Sequence, residues 1–114
     1  MSENRMLRVE SLIQTDLARI IQKELSDSRL SFITVTGVDV ARDLSYAKVY
    51  IATRDETNNP ETLKILNGAV KFLRHHLAGC IELRKIPVLR FYYDEGVAHG
   101  TKISKLLDRN SALS

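Results

Sequence analysis

The sequence contains no tryptophan, two prolines and one cysteine among its 114 residues. Because Cys80 is alone, the chain cannot form an internal disulfide, and a reducing cytosol is the simplest setting for it. No apolar run approaches the roughly 20 residues that span a bilayer. The polar start at residues 1–5 also lacks the apolar core of a signal peptide. We therefore expect a cytoplasmic protein with no membrane partner.

The composition is that of a folded soluble domain, with 44% hydrophobic and 27% charged residues. A chain of this length supports one hydrophobic core. We expect a single domain over residues 1–108, followed by a short flexible tail over residues 109–114, and we expect a monomer.

Charge is distributed unevenly along the chain, although the net charge is only +3. Residues 1–63 hold eight Lys or Arg against ten acidic residues, whereas residues 64–114 hold nine against four. An acidic half and a basic half indicate an oriented molecule with one face turned toward a polyanion. The alternative is a solvated surface whose charge is merely uneven.

The spacing of apolar residues predicts an α+β protein with six elements in the order helix, strand, strand, helix, strand, helix. The first two strands alternate in polarity and predict an antiparallel hairpin. The predicted elements are helix 6–25, strand 32–40, strand 46–53, helix 60–78, strand 86–93 and helix 97–108.

Two glycines predict irregular backbone within these elements. The alternation of the first strand changes phase at Gly37, which predicts a β-bulge there. Asn67 and Gly68 lie inside the second helix, where glycine costs about 1 kcal/mol relative to alanine. Either the helix tolerates this loss, or it bends there into two shorter helices. Gly79 is expected to end the helix.

Catalytic and metal-binding signals are weak. His75 and His76 are adjacent on a helix and point about 100° apart, so they cannot chelate one ion together. His76 and Cys80 supply two ligands, whereas a zinc site takes four, so a surface histidine pair and a buried thiol are the plainer interpretation. The sequence contains no glycine-rich phosphate loop and no nucleophile elbow. We therefore predict no catalytic residues, metal, cofactor or small-molecule substrate, and no enzymatic activity.

Basic residues of the second half are the main binding signal. Lysine and arginine side chains hold sugar-phosphate backbones as fixed positive charges. The alternative is that they keep a helix soluble. The candidate RNA-binding residues are Lys71, Arg74, His75, Arg84, Lys85, Arg90, Lys102 and Lys105.

A second candidate surface is the open face of the sheet. Alternation places five aromatic and basic residues there: Tyr46, Lys48, Tyr50, Arg90 and Tyr92. Such a mixture can stack with bases and neutralise phosphates of single-stranded nucleic acid. Tyrosine is also a common strand residue, and that plainer interpretation is the one we favour from the sequence.

Two stretches resemble the bacterial ribosome-binding factor A family. Residues 27–51 read DSRLSFITVTGVDVARDLSYAKVYI, and residues 83–94 read LRKIPVLRFYYD. The more specific features are the Asp-x-Arg-Leu turn at residue 27 and the Asp-Leu that precedes Ala47-Lys48-Val49 by two residues. The resemblance extends over about residues 5–108.

The resemblance implies a single KH-like domain of the type II arrangement, helix-strand-strand-helix-strand. A three-stranded mixed sheet would carry helices on one face, with the short C-terminal helix added. It also implies a noncatalytic assembly factor that binds the free small (30S) ribosomal subunit. Such a factor assists late maturation of 16S rRNA, including processing of its 5′ end region, and is associated with cold adaptation. Assembly GTPases are further expected partners.

The family has an Ala-x-Gly kink where other KH domains carry a Gly-x-x-Gly loop. The resemblance aligns this kink with Ala69-Val70-Lys71, so lysine stands where the family has glycine. Asn67, Gly68 and Ala69 are the candidate kink residues.

Two hypotheses follow for function. The leading one is an RNA-binding factor that recognises small-subunit RNA through its basic second half. The other is a protein-interaction module on the same scaffold, which docks an assembly GTPase or a ribosomal protein without contacting RNA. The second would bind with a weaker salt dependence, because few phosphate counterions would be released.

Overall fold

The computed structural model describes residues 3–25, 30, 33–53 and 59–95. The helix predicted over residues 97–108, the candidate residues Lys102 and Lys105, and the tail lie outside the described residues. Within the described residues, no helix is both long enough and apolar enough to span a membrane. The described elements are α1 (Glu3–Glu24), β1 (Ile33–Val40), β2 (Tyr46–Thr53), α2 (Pro60–Gly68), α3 (Val70–Ala78) and β3 (Val88–Tyr93).

The three strands form one mixed sheet in the order β1-β2-β3. β1 pairs antiparallel with β2 as predicted, and β3 lies parallel to β2 on its other side. This confirms the predicted α+β class and mixed sheet. Of the two alternatives for the helix predicted over residues 60–78, the structure contains the pair of shorter helices.

Alternation along the strands decides which face of the sheet is buried. Ala47, Val49 and Ile51 of β2 and Leu89 and Phe91 of β3 are at most 2% exposed. The intervening residues of both strands are half-buried or exposed, so they form the open face. The helices cover the buried face with residues that include Ile13, Leu17, Leu66, Leu73 and Leu77, all fully buried.

A β-bulge interrupts β1 where the sequence predicts one. Val35 pairs with Ile51 and Gly37 pairs with Tyr50, so the register shifts between Val35 and Gly37. The extra residue reverses the alternation of the strand. Val35 before the bulge and Val38 after it are consequently both buried.

Side chains of α1 hold the outer edge of β1. The Val40 N–H donates to Glu10 Oε2 at 2.8 Å, and Gln14 Nε2 donates to the Val35 carbonyl at 3.0 Å. Glu10 and Gln14 are four residues apart, so they lie on one face of the helix. These bonds pair backbone groups that would otherwise present an open strand edge.

Asn67 holds the opposite edge of the sheet, on β3. Its Oδ1 accepts from the Phe91 N–H at 2.9 Å, and its Nδ2 donates to the Phe91 carbonyl at 3.4 Å. One amide side chain therefore binds both polar groups of one residue on the edge strand, as a neighbouring strand would. The last turn of α2 is thereby fixed against the middle of β3.

A tight turn joins β1 to β2. Leu44 has a positive φ of 62°, which is uncommon for a bulky side chain, and it is only 9% exposed. Its N–H donates to the Ala41 carbonyl at 2.9 Å. Asp43 Oδ1 accepts from the Ser45 hydroxyl at 2.6 Å and the Ser45 N–H at 3.1 Å. These bonds lower the pKa of the Asp43 carboxyl below its usual value of 3.8.

Replacing Asn67 with alanine tests the bond at the β3 edge. Asn67→Ala removes the side-chain partner of both polar groups of Phe91, so we expect the free energy of unfolding to fall by about 0.5–1.5 kcal/mol. Urea unfolding followed by circular dichroism measures this change. Gln22→Ala is the matched control, because the exposed Gln22 amide makes no hydrogen bond within the described ranges. Equal stability of the two variants would contradict the assignment.

The Asp43 turn predicts a pH dependence of stability. The folded-state pKa of Asp43 lies below the unfolded value, so folding favours the ionised form. Its stabilising effect is complete above the unfolded pKa and is lost as the pH falls through the folded value. Carbon-detected NMR titration should place the Asp43 pKa below 3.8. Ser45→Ala removes the hydroxyl bond and should raise this pKa toward 3.8; an unchanged pKa would show that the Ser45 hydroxyl is not the main cause.

Candidate nucleic-acid interface

A one-residue break separates α2 from α3 at Ala69. Its φ and ψ are −98° and 10°, outside helical values. The Ala69 N–H is shared between the carbonyls of Ile65 and Leu66, at 3.1 Å each, and the Ala69 carbonyl accepts from the Leu73 N–H at 2.9 Å. Helical bonds are thus retained on both sides of Ala69. The break lies at the alanine that the family resemblance indicates, although lysine replaces the family's glycine at residue 71.

Gly68, the last residue of α2, presents open backbone beside this break. A Cβ atom built on Gly68 would meet nothing within 4 Å, and its φ is not in the left-handed region. Neither packing nor backbone conformation therefore requires glycine at this position. The absence of a side chain leaves room for a ligand backbone to approach the helix.

Basic side chains lie one turn before and one turn after Gly68. Lys64 precedes it by four residues on α2, and Lys71 and His75 are four residues apart on α3; all three are exposed. Lys71 stands in the first turn of α3, which contains no acidic residue. The negative end of α2 adjoins the positive end of α3 across the one-residue break, so the two helix ends offset each other there. Lys71 itself is the fixed positive charge that can attract an anion such as phosphate.

Arg74 is bound to the protein backbone. Its Nη2 donates to the Ile86 carbonyl at 2.8 Å, and its buried Nε has no hydrogen-bond partner within the described part of the chain. Arg74 therefore fixes the segment before β3 against α3, and its guanidinium is only partly available to RNA.

Arg84 and Lys85 are exposed in the segment that Arg74 holds. The Val88 N–H donates to the Ser45 carbonyl at 3.1 Å, which ties the end of this segment to the β1–β2 turn. Lys85 contributes to the lowered pKa of Asp43, after the larger effect of the Ser45 hydrogen bonds. We call Lys64, Gly68, Lys71, His75, Arg84 and Lys85 the break surface.

Arg90 lies on a different side of the sheet from the candidates on α3, which are Lys71, Arg74 and His75. It lies on the open face of the sheet, opposite Lys48 in the β2–β3 register. The helices that carry Lys71 and His75 cover the other face. The described basic candidates on α3 and on β3 are therefore divided between the two sides of the sheet.

The five side chains predicted for the open face do lie together. We call Tyr46, Lys48, Tyr50, Arg90 and Tyr92 the open-face cluster. The register places Tyr50 opposite Tyr92, with ring centroids 6.1 Å apart, and the Tyr46 and Tyr92 hydroxyls are 2.9 Å apart. That hydrogen bond is the main cause of the raised pKa of Tyr46.

His76 and Cys80 lie beside α1. His76 Nε2 is 4.0 Å from Glu24 Oε2, and Arg19 Nη2 is 3.4 Å from Cys80 Sγ. The interpretation of Cys80 as a buried thiol is wrong, because the residue is exposed. Among the described residues, no group of three or more His, Cys, Asp or Glu side chains is placed to hold a metal ion.

Sequence reasoning misses one residue of this region, Lys64, and one contact, that of the candidate kink residue Asn67. Lys64 is outside the candidate set, although its four-residue distance from Gly68 on a helix is a usable signal. The pairing of Asn67 with Phe91 depends on a contact between residues 24 positions apart, and no local pattern reveals it.

The ribosome-binding factor A family model matches residues 5–107 of the chain. A protein named ribosome-binding factor A from Nitrosomonas eutropha is 46% identical over 106 residues, which cover 92% of this chain and 91% of that protein. The protein of the same name from Pseudomonas entomophila is 40% identical over 109 residues, which cover 93% and 83%.

Solved structures agree with these relatives. The crystal structure of ribosome-binding factor A from Thermus thermophilus has a TM-score of 0.71 at 30% identity, covering 77% of this chain and 94% of that one. A homology model of the Thermus thermophilus factor, fitted into a cryo-EM map of its 30S complex, has a TM-score of 0.65 at 30% identity and covers 75% and 90%. The chain belongs to the ribosome-binding factor A family.

Proposed function

We propose that this protein binds the free small ribosomal subunit by placing the break surface against its RNA. The observation that carries the proposal is Lys71 at the start of α3, next to the open backbone of Gly68. The fitted Thermus thermophilus relative is described in a 30S complex, which supports the small subunit as the target.

We further propose the finer role that the family resemblance implies. The protein assists late maturation of 16S rRNA, including processing of the 5′ end region, as a KH-like binding protein in the cytoplasm and without catalysing a reaction. It is associated with cold adaptation. It acts as a monomer, and assembly GTPases are its further partners. The mechanism is selective binding, because a protein shifts an RNA equilibrium only by binding one conformation more tightly than its competitors.

Cosedimentation tests the proposal. The purified protein is sedimented with free small subunits, free large subunits and joined ribosomes at two salt concentrations. We expect selective binding to free small subunits that weakens steeply with salt, because phosphate contacts release counterions. Absence from every ribosomal fraction at low salt would refute the proposal. Binding that is insensitive to salt would favour docking on a ribosomal protein.

Charge reversal on the break surface should weaken this binding. Lys71→Glu with Lys85→Glu removes two exposed cations without touching the Arg74 bond to Ile86. We expect at least about a 10-fold loss of affinity. The plot of log affinity against log salt should become shallower by roughly 0.7–0.9 for each phosphate that the variant no longer neutralises.

The control for this double variant makes the same change in net charge elsewhere. Arg8→Glu with Lys23→Glu alters two exposed cations of α1. If both double variants lose affinity equally, the effect comes from net charge, and the break surface is not the binding site.

Gly68→Ala separates stability from binding. The added methyl group meets no other atom within 4 Å and suits a helical residue, so the free energy of unfolding should rise by about 0.5–1 kcal/mol. Affinity for the small subunit should fall, because the methyl group obstructs close approach of the RNA backbone. Thermal unfolding and cosedimentation measure the two effects. A more stable variant with unchanged affinity would show that RNA does not approach Gly68.

A further inference from the structure

The proposed contact between RNA and the break surface leaves the open-face cluster without a role. The rings of Tyr50 and Tyr92 are tilted by 36° and are not stacked in parallel, and both are only half-buried. The Arg90 guanidinium carbon lies 5.9 Å from the centroid of the Tyr92 ring. Two adjacent strands thus present neighbouring aromatic rings flanked by cations, an arrangement that stacks unpaired bases in other sheet proteins.

A cavity adjoins these rings. Its volume is about 340 Å³, near the lower end of the roughly 300–1,000 Å³ range of small-ligand pockets. It is lined by Lys48, Tyr50, Leu63, Tyr92, Tyr93 and Glu95. Aromatic and aliphatic side chains supply apolar walls, while Lys48 and Glu95 supply a donor and an acceptor. A space of this size and lining suits one planar heterocycle with polar edges.

Charges on this face are nearly balanced, in contrast to the break surface. Asp39 stands opposite Lys48 in the β1–β2 register. Asp39 and Asp94 add to the effect of burial, which is the main cause of the raised pKa of Tyr50. A face of mixed charge does not attract a length of phosphate backbone. It suits a ligand whose contacts are mainly with ring faces, with a phosphate held at one side by a cation such as Arg90.

We propose that the open-face cluster is a second RNA subsite, which takes an unstacked nucleobase of single-stranded RNA against Tyr50 and Tyr92. The inference rests on the proposed function, because it assumes that the protein works on RNA. RNA is favoured over a protein partner because the site is concave and of single-base size, whereas protein interfaces are broad patches of about 800 Å² per partner. Tyr50 and Tyr92 stand on the open face of the sheet, and Leu63 of α2 contributes one wall of the adjoining cavity.

Intrinsic fluorescence reports directly on this subsite. The chain has no tryptophan and four tyrosines, of which three belong to the cluster. The intact protein is titrated with hexamers of uridylate and of adenylate, and with an abasic hexamer that has the same phosphates. We expect at least one of the two base-containing hexamers to quench tyrosine emission, and the abasic hexamer to leave it unchanged.

Substitutions at the two facing tyrosines test the stacking. Tyr50→Leu and Tyr92→Leu should each weaken hexamer binding by about 5- to 150-fold, the range expected for loss of one base–aromatic stack. Tyr50→Phe and Tyr92→Phe keep the ring and should retain affinity within about threefold. Thermal unfolding of each variant shows whether it is folded; Tyr50→Leu remains informative if Tyr92→Leu unfolds through loss of the Tyr46 bond.

The outcomes separate this inference from the proposed function. Binding that survives Lys71→Glu with Lys85→Glu and is lost in the leucine variants supports the subsite. The subsite is overturned if neither of the two base-containing hexamers quenches tyrosine emission. It is also overturned if hexamer binding is lost on charge reversal but not in the leucine variants. If a leucine variant loses small-subunit binding although the intact protein binds no hexamer, the RNA subsite is likewise overturned. That result would indicate that the open-face cluster binds a protein partner. Small-subunit cosedimentation without hexamer binding overturns this inference alone, and failure of cosedimentation overturns the proposed function.

Discussion

The bond between the Asn67 amide and the backbone of Phe91 is the constraint on which the arrangement of the candidate site depends. Among the described residues β3 is the outer strand of a three-stranded sheet, and an outer strand presents N–H and C=O groups that no neighbouring strand pairs. Asn67 pairs with both polar groups of Phe91 and brings the end of α2 to this edge. Gly68, Ala69 and Lys71 follow directly along the chain, so their position relative to the sheet is set there.

The opposite edge of the sheet, on β1, is bound in the same way by side chains of α1. Glu10 and Gln14 of α1 bind the backbone of β1 at Val40 and Val35. Both edges of the sheet are therefore engaged by polar side chains of the helices that cover its buried face. The other face of β2 and β3 carries the half-buried Tyr46, Tyr50 and Tyr92. A small sheet thus presents two chemically distinct surfaces, a basic one at the helix break and an aromatic one of balanced charge.

Much of this fold is accessible from the sequence, because it follows from local periodicity. Alternation predicts all three strands within about two residues, and the change of phase at Gly37 predicts the bulge. For the helix predicted over residues 60–78, the sequence leaves two alternatives, one continuous helix or a break into two. It cannot choose between them, because a glycine lowers helix stability by an amount that tertiary contacts can offset. The contact that holds the end of α2 against β3, Asn67 with Phe91, joins residues far apart in sequence.

The candidate site is predictable to a smaller degree. Charge counts identify the basic half of the chain but cannot show which side chains the fold uses. Arg74 is bound to the Ile86 carbonyl, and Arg90 lies across the sheet from Lys71; both facts depend on packing. Conversely, the open-face cluster is predictable because strand parity alone places its members on one face. The side chains of the two strands lie next to each other only because of the parallel register of β2 and β3, which strand parity does not reveal.

Amide hydrogen exchange at Phe91, measured residue by residue by NMR on the intact protein, tests the central claim most directly. In the parallel pairing with β2, the Phe91 N–H points away from β2 toward the free edge, where it donates to Asn67 Oδ1 at 2.9 Å. The account predicts that this amide exchanges only through opening of the fold, with protection close to that of the central strand. Exchange at the rate of an exposed edge amide would show that Asn67 does not hold the helix break against the sheet.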